Sequence, residues 1–267
     1  MGTRKVGHAG TLDPMATGIL VLGIGRATKL LGHLSLDRKT YLARMVLGSA
    51  TVTEDVEGET LSTAAPDDVA AVTEAEVTAA IASWIGQVQQ VPSAVSAVKV
   101  DGKRAYERVR DGEHVELAPR PVTVHRFELL NLRRTGDSIE LDALVECSSG
   151  TYVRALARDL GAALGVGGHL NRLRRTTVGP FTLSGARTLE QFDAEPQLTL
   201  GLDAAVDVAF PRRDVDADLA WAVRHGQRMP RAGIDGTYGV FDPDGRVLAL
   251  SVDEESQARS VVVLAPA

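Results

Sequence analysis

The chain has 267 residues, 44% hydrophobic and 24% charged, with 26 Gly and 11 Pro. This excludes a collagenous, disordered or membrane-dominated protein and leaves room for one large domain with a smaller companion. A single cysteine, Cys147, excludes an intrachain disulfide, and no apolar run of about 18 residues offers a membrane-spanning helix. The net charge of −6 is unevenly divided: residues 1–44 carry +5, 45–98 carry −8, 99–134 carry +3, 151–187 carry +5 and 201–267 carry −4. A nucleic-acid site needs a positive patch rather than a positive protein, so three segments qualify. The start, Met1-Gly2-Thr3-Arg4-Lys5, has no apolar signal-peptide core, and a cytoplasmic place is expected.

In chain order, residues 39–48 predict a strand with Tyr41, Ala43, Met45 and Leu47 on one face. The acidic stretch Thr53–Thr60 reads as a loop. Thr73-Glu74-Ala75-Glu76 is a capping-box pattern, and Val77, Ile81, Trp84 and Ile85 follow at helical spacing, with Trp84 a core residue. Residues 91–120 form a long, charged excursion with a short helix expected around Arg104–Arg110. Residues 121–132 and 138–147 predict paired strands about a turn at Thr135-Gly136-Asp137, with Cys147 on the core face. Ala155–Leu164 predicts a helix ended by the Gly165–Gly168 cluster, after which Arg172, Arg174 and Arg175 lie close together. A boundary is expected near Asp207–Asp214. Beyond it, Tyr238–Phe241 and Val247–Leu250 form a hairpin about Asp242-Pro243-Asp244-Gly245, and Ser260–Leu264 a further strand.

Six histidines lie too far apart for a zinc site of usual local spacing, and neither a P-loop nor a G-x-S-x-G motif is present. One segment stands apart: Gly7-His8-Ala9-Gly10-Thr11-Leu12-Asp13-Pro14-Met15-Ala16-Thr17-Gly18. Three glycines, a proline and small residues make a constrained loop, and Pro14 keeps Asp13 out of the helical region. A carboxylate so held can face a cleft, or it can simply satisfy backbone N–H groups of a turn.

This segment resembles the catalytic-aspartate motif of the TruB family of tRNA pseudouridine synthases. Lys39-Thr40-Tyr41 is similar to the family's basic-x-Tyr motif, Gly150-Thr151-Tyr152-Val153-Arg154 to its G-T-Y-[IV]-R motif, and His169–Arg175 to its closing H-L-x-x-L-R-R element. Segment 91–121, with Lys99, Lys103, Arg104 and Tyr106, is similar to its RNA-gripping thumb loop. The likeness runs in one order from residue 4 to about residue 190. The tail resembles, less specifically, the family's PUA-like RNA-binding appendage.

The resemblance implies an α/β (α+β) fold: a mixed, largely antiparallel sheet with flanking helices over residues 1–208, then a small β-rich PUA-like domain over 209–267. It implies isomerisation of the T-loop uridine, tRNA position 55, to pseudouridine by a monomer, without metal, cofactor or membrane. Asp13 matches the nucleophile, Arg154 its cationic partner, and Tyr41 the residue that stacks on the flipped base and assists at C5. His8 matches a residue that occupies the vacated place in the RNA, Tyr152 and Leu173 residues that line the pocket, and Lys29 a basic residue near the RNA.

Two other readings stand beside this one. A tRNA-binding or tRNA-folding protein could use the same basic segments without catalysis. An aspartyl-phosphate hydrolase would need a second acid two residues after Asp13, where Met15 stands. The family's upstream Lys-Pro-x-Gly-[MT]-[ST] segment has no counterpart in these residues. The expectation is therefore that the working protein starts further upstream, and that without that strand a sheet edge near the site is left unpaired.

Overall fold

Contacts gather the chain into two units in a computed structural model, which describes residues 2–34, 38–96, 99–100, 102–105, 108, 115 and 117–266. Leu12–Ile19 and Asp37–Val178 make one unit; Met1–Thr11, Leu20–Leu36 and Gly179–Ala267 make the other. In chain order the elements are β1 (Val6–Ala9), β2 (Thr17–Gly18), β3 (Val21–Ile24), β4 (Arg38–Leu47), β5 (Ser49–Thr51), β6 (Thr60–Thr63), α1 (Pro66–Ala71), α2 (Glu74–Ala82), β7 (Gly86–Gln90), β8 (Lys99–Val100) and β9 (Lys103–Arg104). Then come β10 (Arg120–Thr135), β11 (Ser138–Ser148), α3 (Val153–Ala163), β12 (Gly168–Val178), β13 (Phe181–Thr182), α4 (Leu189–Ala194), α5 (Leu202–Ala209), β14 (Arg212–Asp214), α6 (Ala217–Arg224), β15 (Thr237–Phe241), β16 (Val247–Asp253) and β17 (Ala258–Val263).

The unit that holds Asp13 is built on a sheet of order β12-β4-β11-β10-β7, every neighbour antiparallel, with β2 parallel along β12. Period-2 patterning explains its inner face. Tyr41, Ala43, Met45 and Leu47 of β4 and Ile139, Leu141, Ala143, Val145 and Cys147 of β11 are all buried. They pack against Val77 and Ile81 of α2 and Leu156 and Leu160 of α3, pairs at i, i+4 spacing. Burial pushes the Cys147 thiol up to about 11, which suits a packing residue. The expected capping box closes at Thr73 and Glu76. The expected hairpin joins β10 to β11.

Two expectations change. First, α3 starts at Val153, two residues earlier than the apolar pattern indicates, because the Gln90 side chain ties down the Tyr152 backbone in front of it. Second, the residues after the glycine cluster form the eleven-residue strand β12. A Cβ on Gly161 would lie 2.2 Å from the backbone of Gly168, so α3 and β12 can cross this closely only through glycine. Two bulges in β12, at Leu170/Arg172 and Arg175/Thr177, turn Leu170, Leu173 and Arg175 inward and leave Arg172 and Arg174 exposed. The acidic stretch is turns and bends, as expected, and within it Glu54 and Asp55 are buried, with Asp55 bridged to Leu170.

The edge expected to be open beside the site carries β2 at Arg174 and Arg175. In the 91–121 segment, β8 pairs with β9. Tyr106 and most of the helix expected around Arg104–Arg110 lie outside the described residues.

In the other unit, β1 pairs antiparallel with β3, and β14-β15-β16-β17 form a sheet whose β15–β16 hairpin matches the expected one. The Asp242 carboxylate accepts from the backbone N–H groups of Asp244 and Arg246 and so shapes the turn. Among the described residues no helix is long and apolar enough to cross a membrane.

Candidate active site

Asp13 occupies the first position of a tight turn, closed by a bond from the Ala16 N–H to its carbonyl at 2.9 Å, with Pro14 where proline's fixed φ is favoured. Behind the turn, Gly18 has φ +102, and a Cβ there would lie 2.1 Å from the Arg175 carbonyl oxygen. Only glycine lets β2 run this close to β12. The turn is thus fastened to the sheet at Thr17–Gly18, and its aspartate side chain keeps 30% of its surface exposed.

Arg154 meets Asp13 from the first turn of α3. Its Nη2 donates to Asp13 Oδ1 at 3.0 Å and to the Val95 carbonyl at 2.9 Å. Its Nη1 donates to the Thr53 carbonyl at 2.7 Å and to Asp55 Oδ2 at 3.3 Å. The guanidinium is 6% exposed and Asp55 4%. A cation so buried, at the positive end of a helix, costs several kcal/mol unless its hydrogens are matched. Two carboxylates and two carbonyls match the four on Nη1 and Nη2, and the Nε hydrogen is buried without a partner. Asp55 is itself fixed by Thr53 Oγ1 at 2.5 Å and the Glu57 N–H at 3.1 Å. Arg154 is therefore held from behind, and the Asp13 side of the pair opens to solvent.

Tyr41 lies on β4, level with Arg175 on β12, and is 7% exposed. Burial pushes its hydroxyl up to about 12; a hydrogen bond with Arg175 pulls the other way. Arg175 is 1% exposed and donates through Nε to the Ile19 carbonyl at 2.9 Å. It is a strut between the end of the Asp13 loop and Tyr41, not a surface base grouped with Arg172 and Arg174. Lys39, two residues before Tyr41, donates to Ser149 Oγ at 3.2 Å, and burial lowers its pKa. Leu173 is 5% exposed and packs in the core with Met15 and Ala16 of the Asp13 loop. Tyr152 precedes α3, its backbone bonded in both directions to the Gln90 side chain and its surface half-buried.

The fold thus gathers Asp13, Tyr41, Arg154, Tyr152 and Leu173 into one unit. His8 and Lys29 belong to the other. His8 is exposed on β1 opposite Leu22, and Lys29 Nζ donates to the Val263 carbonyl at 3.0 Å. Sequence reasoning missed Asp55 and misplaced Arg175. No group of three or more His, Cys, Asp and Glu side chains among the described residues could hold a metal ion.

The fold is shared with chains of solved complexes. The structure aligns with a chain of an H/ACA ribonucleoprotein bound to a substrate RNA containing 2'-deoxyuridine, with TM-score 0.69 and 21% identity over 98% of this chain and 77% of that one. It aligns likewise with a chain of a Cbf5-Nop10-Gar1 complex, with TM-score 0.68, 23% identity and the same coverage. In sequence, residues 1–153 match the TruB family pseudouridylate synthase N-terminal domain, 154–201 a tRNA pseudouridylate synthase B C-terminal domain, and 210–265 a tRNA pseudouridine synthase II C-terminal domain. The chain belongs to the TruB family of pseudouridylate synthases. It is 56% identical to tRNA pseudouridine synthase B of Rhodococcus jostii, over 100% of this chain and 87% of that protein. It is 48% identical to the protein of the same name from Corynebacterium diphtheriae, over 99% of this chain and 88% of that one.

Proposed function

We propose that the chain isomerises the T-loop uridine of tRNA to pseudouridine in the cytoplasm, as a monomer, with Asp13 as nucleophile. The observation that carries this is the Asp13–Arg154 pair, buried on the arginine side and open on the aspartate side. The reaction breaks the C1'–N1 bond, turns the base, forms C1'–C5, removes the C5 proton and returns one to N1. An Asp13 carboxylate with a fixed cation beside it suits attack on the sugar or the base. Tyr41 is the stacking partner for the extruded base. At about 12 its hydroxyl stays protonated at neutral pH, so any help at C5 comes from a hydrogen-bonding phenol and not from a phenolate. Tyr152 and Leu173 line the base's place, while His8 and Lys29 face the RNA. Residues 1–208 serve as the catalytic domain, with 91–121 gripping the RNA, and 209–267 as an RNA-binding appendage.

The reading is tested with unmodified tRNA tritiated at uridine C5. Wild-type protein should release tritium, and Asp13→Asn should release none while binding tRNA within a few-fold of wild type. Arg154→Lys should also release it slowly, since an ammonium lacks the planar fork that serves Asp13, Asp55 and two carbonyls together. Tight tRNA binding with no release by the wild type would favour a tRNA-binding protein without catalysis.

A further inference from the structure

Two arginines one helical turn apart on α3 repeat a single pattern. Arg154 binds Asp55 and the Val95 carbonyl; Arg158 binds Glu54 Oε1 at 2.5 Å and the Val91 carbonyl at 2.9 Å. The i, i+4 spacing puts both on one helix face. Each therefore joins a carboxylate of the 53–55 turn to a carbonyl of the segment leading out of β7. Gln90 adds a third tie, at 2.8 and 3.1 Å to the Tyr152 backbone. The Arg154 nitrogen that serves Val95 is also the one that serves Asp13.

Glu54 is costly where it stands. It is the one non-glycine among the described residues at positive φ, +61. Its side chain is 11% exposed, unusual for a glutamate, and burial raises its carboxyl while Arg158 pulls it back. Glycine would take this backbone without steric cost. Such strain persists where the surroundings over-determine it, and it clusters at functional sites.

We propose that Arg158 and Glu54 are positioning residues for the isomerisation, tying the Val91 end of segment 91–95 to α3 so that the Val95 carbonyl and Asp13 share one correctly aimed Arg154 nitrogen. This rests on the function proposed above. Neither residue meets the reacting atoms; both act through Arg154. Their loss is therefore felt in the chemical step and not in RNA affinity.

The experiment measures single-turnover conversion, tRNA Kd and the urea midpoint for wild type, Arg158→Met, Arg158→Lys, Glu54→Gly and the Arg158→Met/Glu54→Gly pair. Arg158→Met should slow conversion about tenfold with Kd within about twofold, a misaimed-group effect. Arg158→Lys should recover part of the rate. Glu54→Gly should slow conversion comparably while its urea midpoint holds or rises, which a merely structural role would not produce. The double variant should be no slower than the slower single, as expected of two residues acting as a unit. Guanidinium NMR exchange at Arg154 gives a readout that needs no activity: slow in wild type, faster in Arg158→Met. Unchanged Arg154 exchange, wild-type rates in Glu54→Gly, or rates that fall only in step with stability or Kd would overturn the proposal. A wild type that makes no pseudouridine would count against the function reading alone, and the Arg154 exchange would still decide this one.

Discussion

Arg154 is tolerated in the interior because its four Nη hydrogens are directed at oxygens, although its Nε is buried without a partner, and Asp55 supplies the one carboxylate that is buried with it. Removing that charge leaves a desolvated cation short of a partner, which costs on the order of 3 kcal/mol. Asp55→Asn should therefore lower stability in urea by about that amount and slow conversion at least about tenfold, with tRNA affinity little changed. A wild-type rate would mean that Asp55 does not hold Arg154. Tyr41 carries a separate, pH-dependent prediction. Its folded pKa of about 12 lies above the ordinary 10, so the folded state binds more proton between those values. The stability from its neutral hydroxyl is complete below about pH 10 and declines as pH rises toward 12. Tyr41→Phe should flatten that decline by roughly 2–3 kcal/mol in alkaline urea titrations, the equivalent of two pKa units. At this scale Asp13, Tyr41 and Arg154 were readable because each stands in a distinctive local motif. Asp55 was not. It sits among acids of the 53–60 stretch, and only the left-handed Glu54 backbone and the bridge to Leu170 turn it inward.

Elements whose pattern is purely periodic came through the sequence well. The alternation of β4 and β11, the capping box of α2 and the β15–β16 hairpin all lie where apolar spacing and turn residues put them. β12 did not, because two bulges break its period and hide which arginines face inward. Its pairing with β2 depends on Gly18, where a side chain would meet both a positive φ and the Arg175 backbone. Gly18→Ala should cost more than about 2 kcal/mol in urea unfolding, in the large-effect class of strained backbone sites. It should also slow conversion, since the Asp13 turn hangs on that pairing. A Gly18→Ala protein as stable and active as wild type would show that the loop is fastened elsewhere.

For the whole molecule, tRNA must be bound by a chain whose net charge is −6, so affinity has to come from local positive patches and should fall steeply with salt. Arg172 and Arg174 are exposed on β12 and suit phosphate contacts; Arg175 is buried and does not. Charge reversal at Arg172 or Arg174 should weaken tRNA binding more than reversal at Arg246, whereas reversal at Arg175 should destabilise the fold itself. Equal losses at Arg172, Arg174 and Arg246 in filter binding would argue against a local patch. The proposed function makes Asp13 responsible for converting a single uridine of tRNA. Its most direct measurement is pseudouridine mapping on unmodified tRNA after incubation with wild type and with Asp13→Asn. One new pseudouridine, at the T-loop uridine, is expected with wild type and none with the variant; conversion at that uridine by Asp13→Asn, or at other uridines by the wild type, would overturn the proposed function.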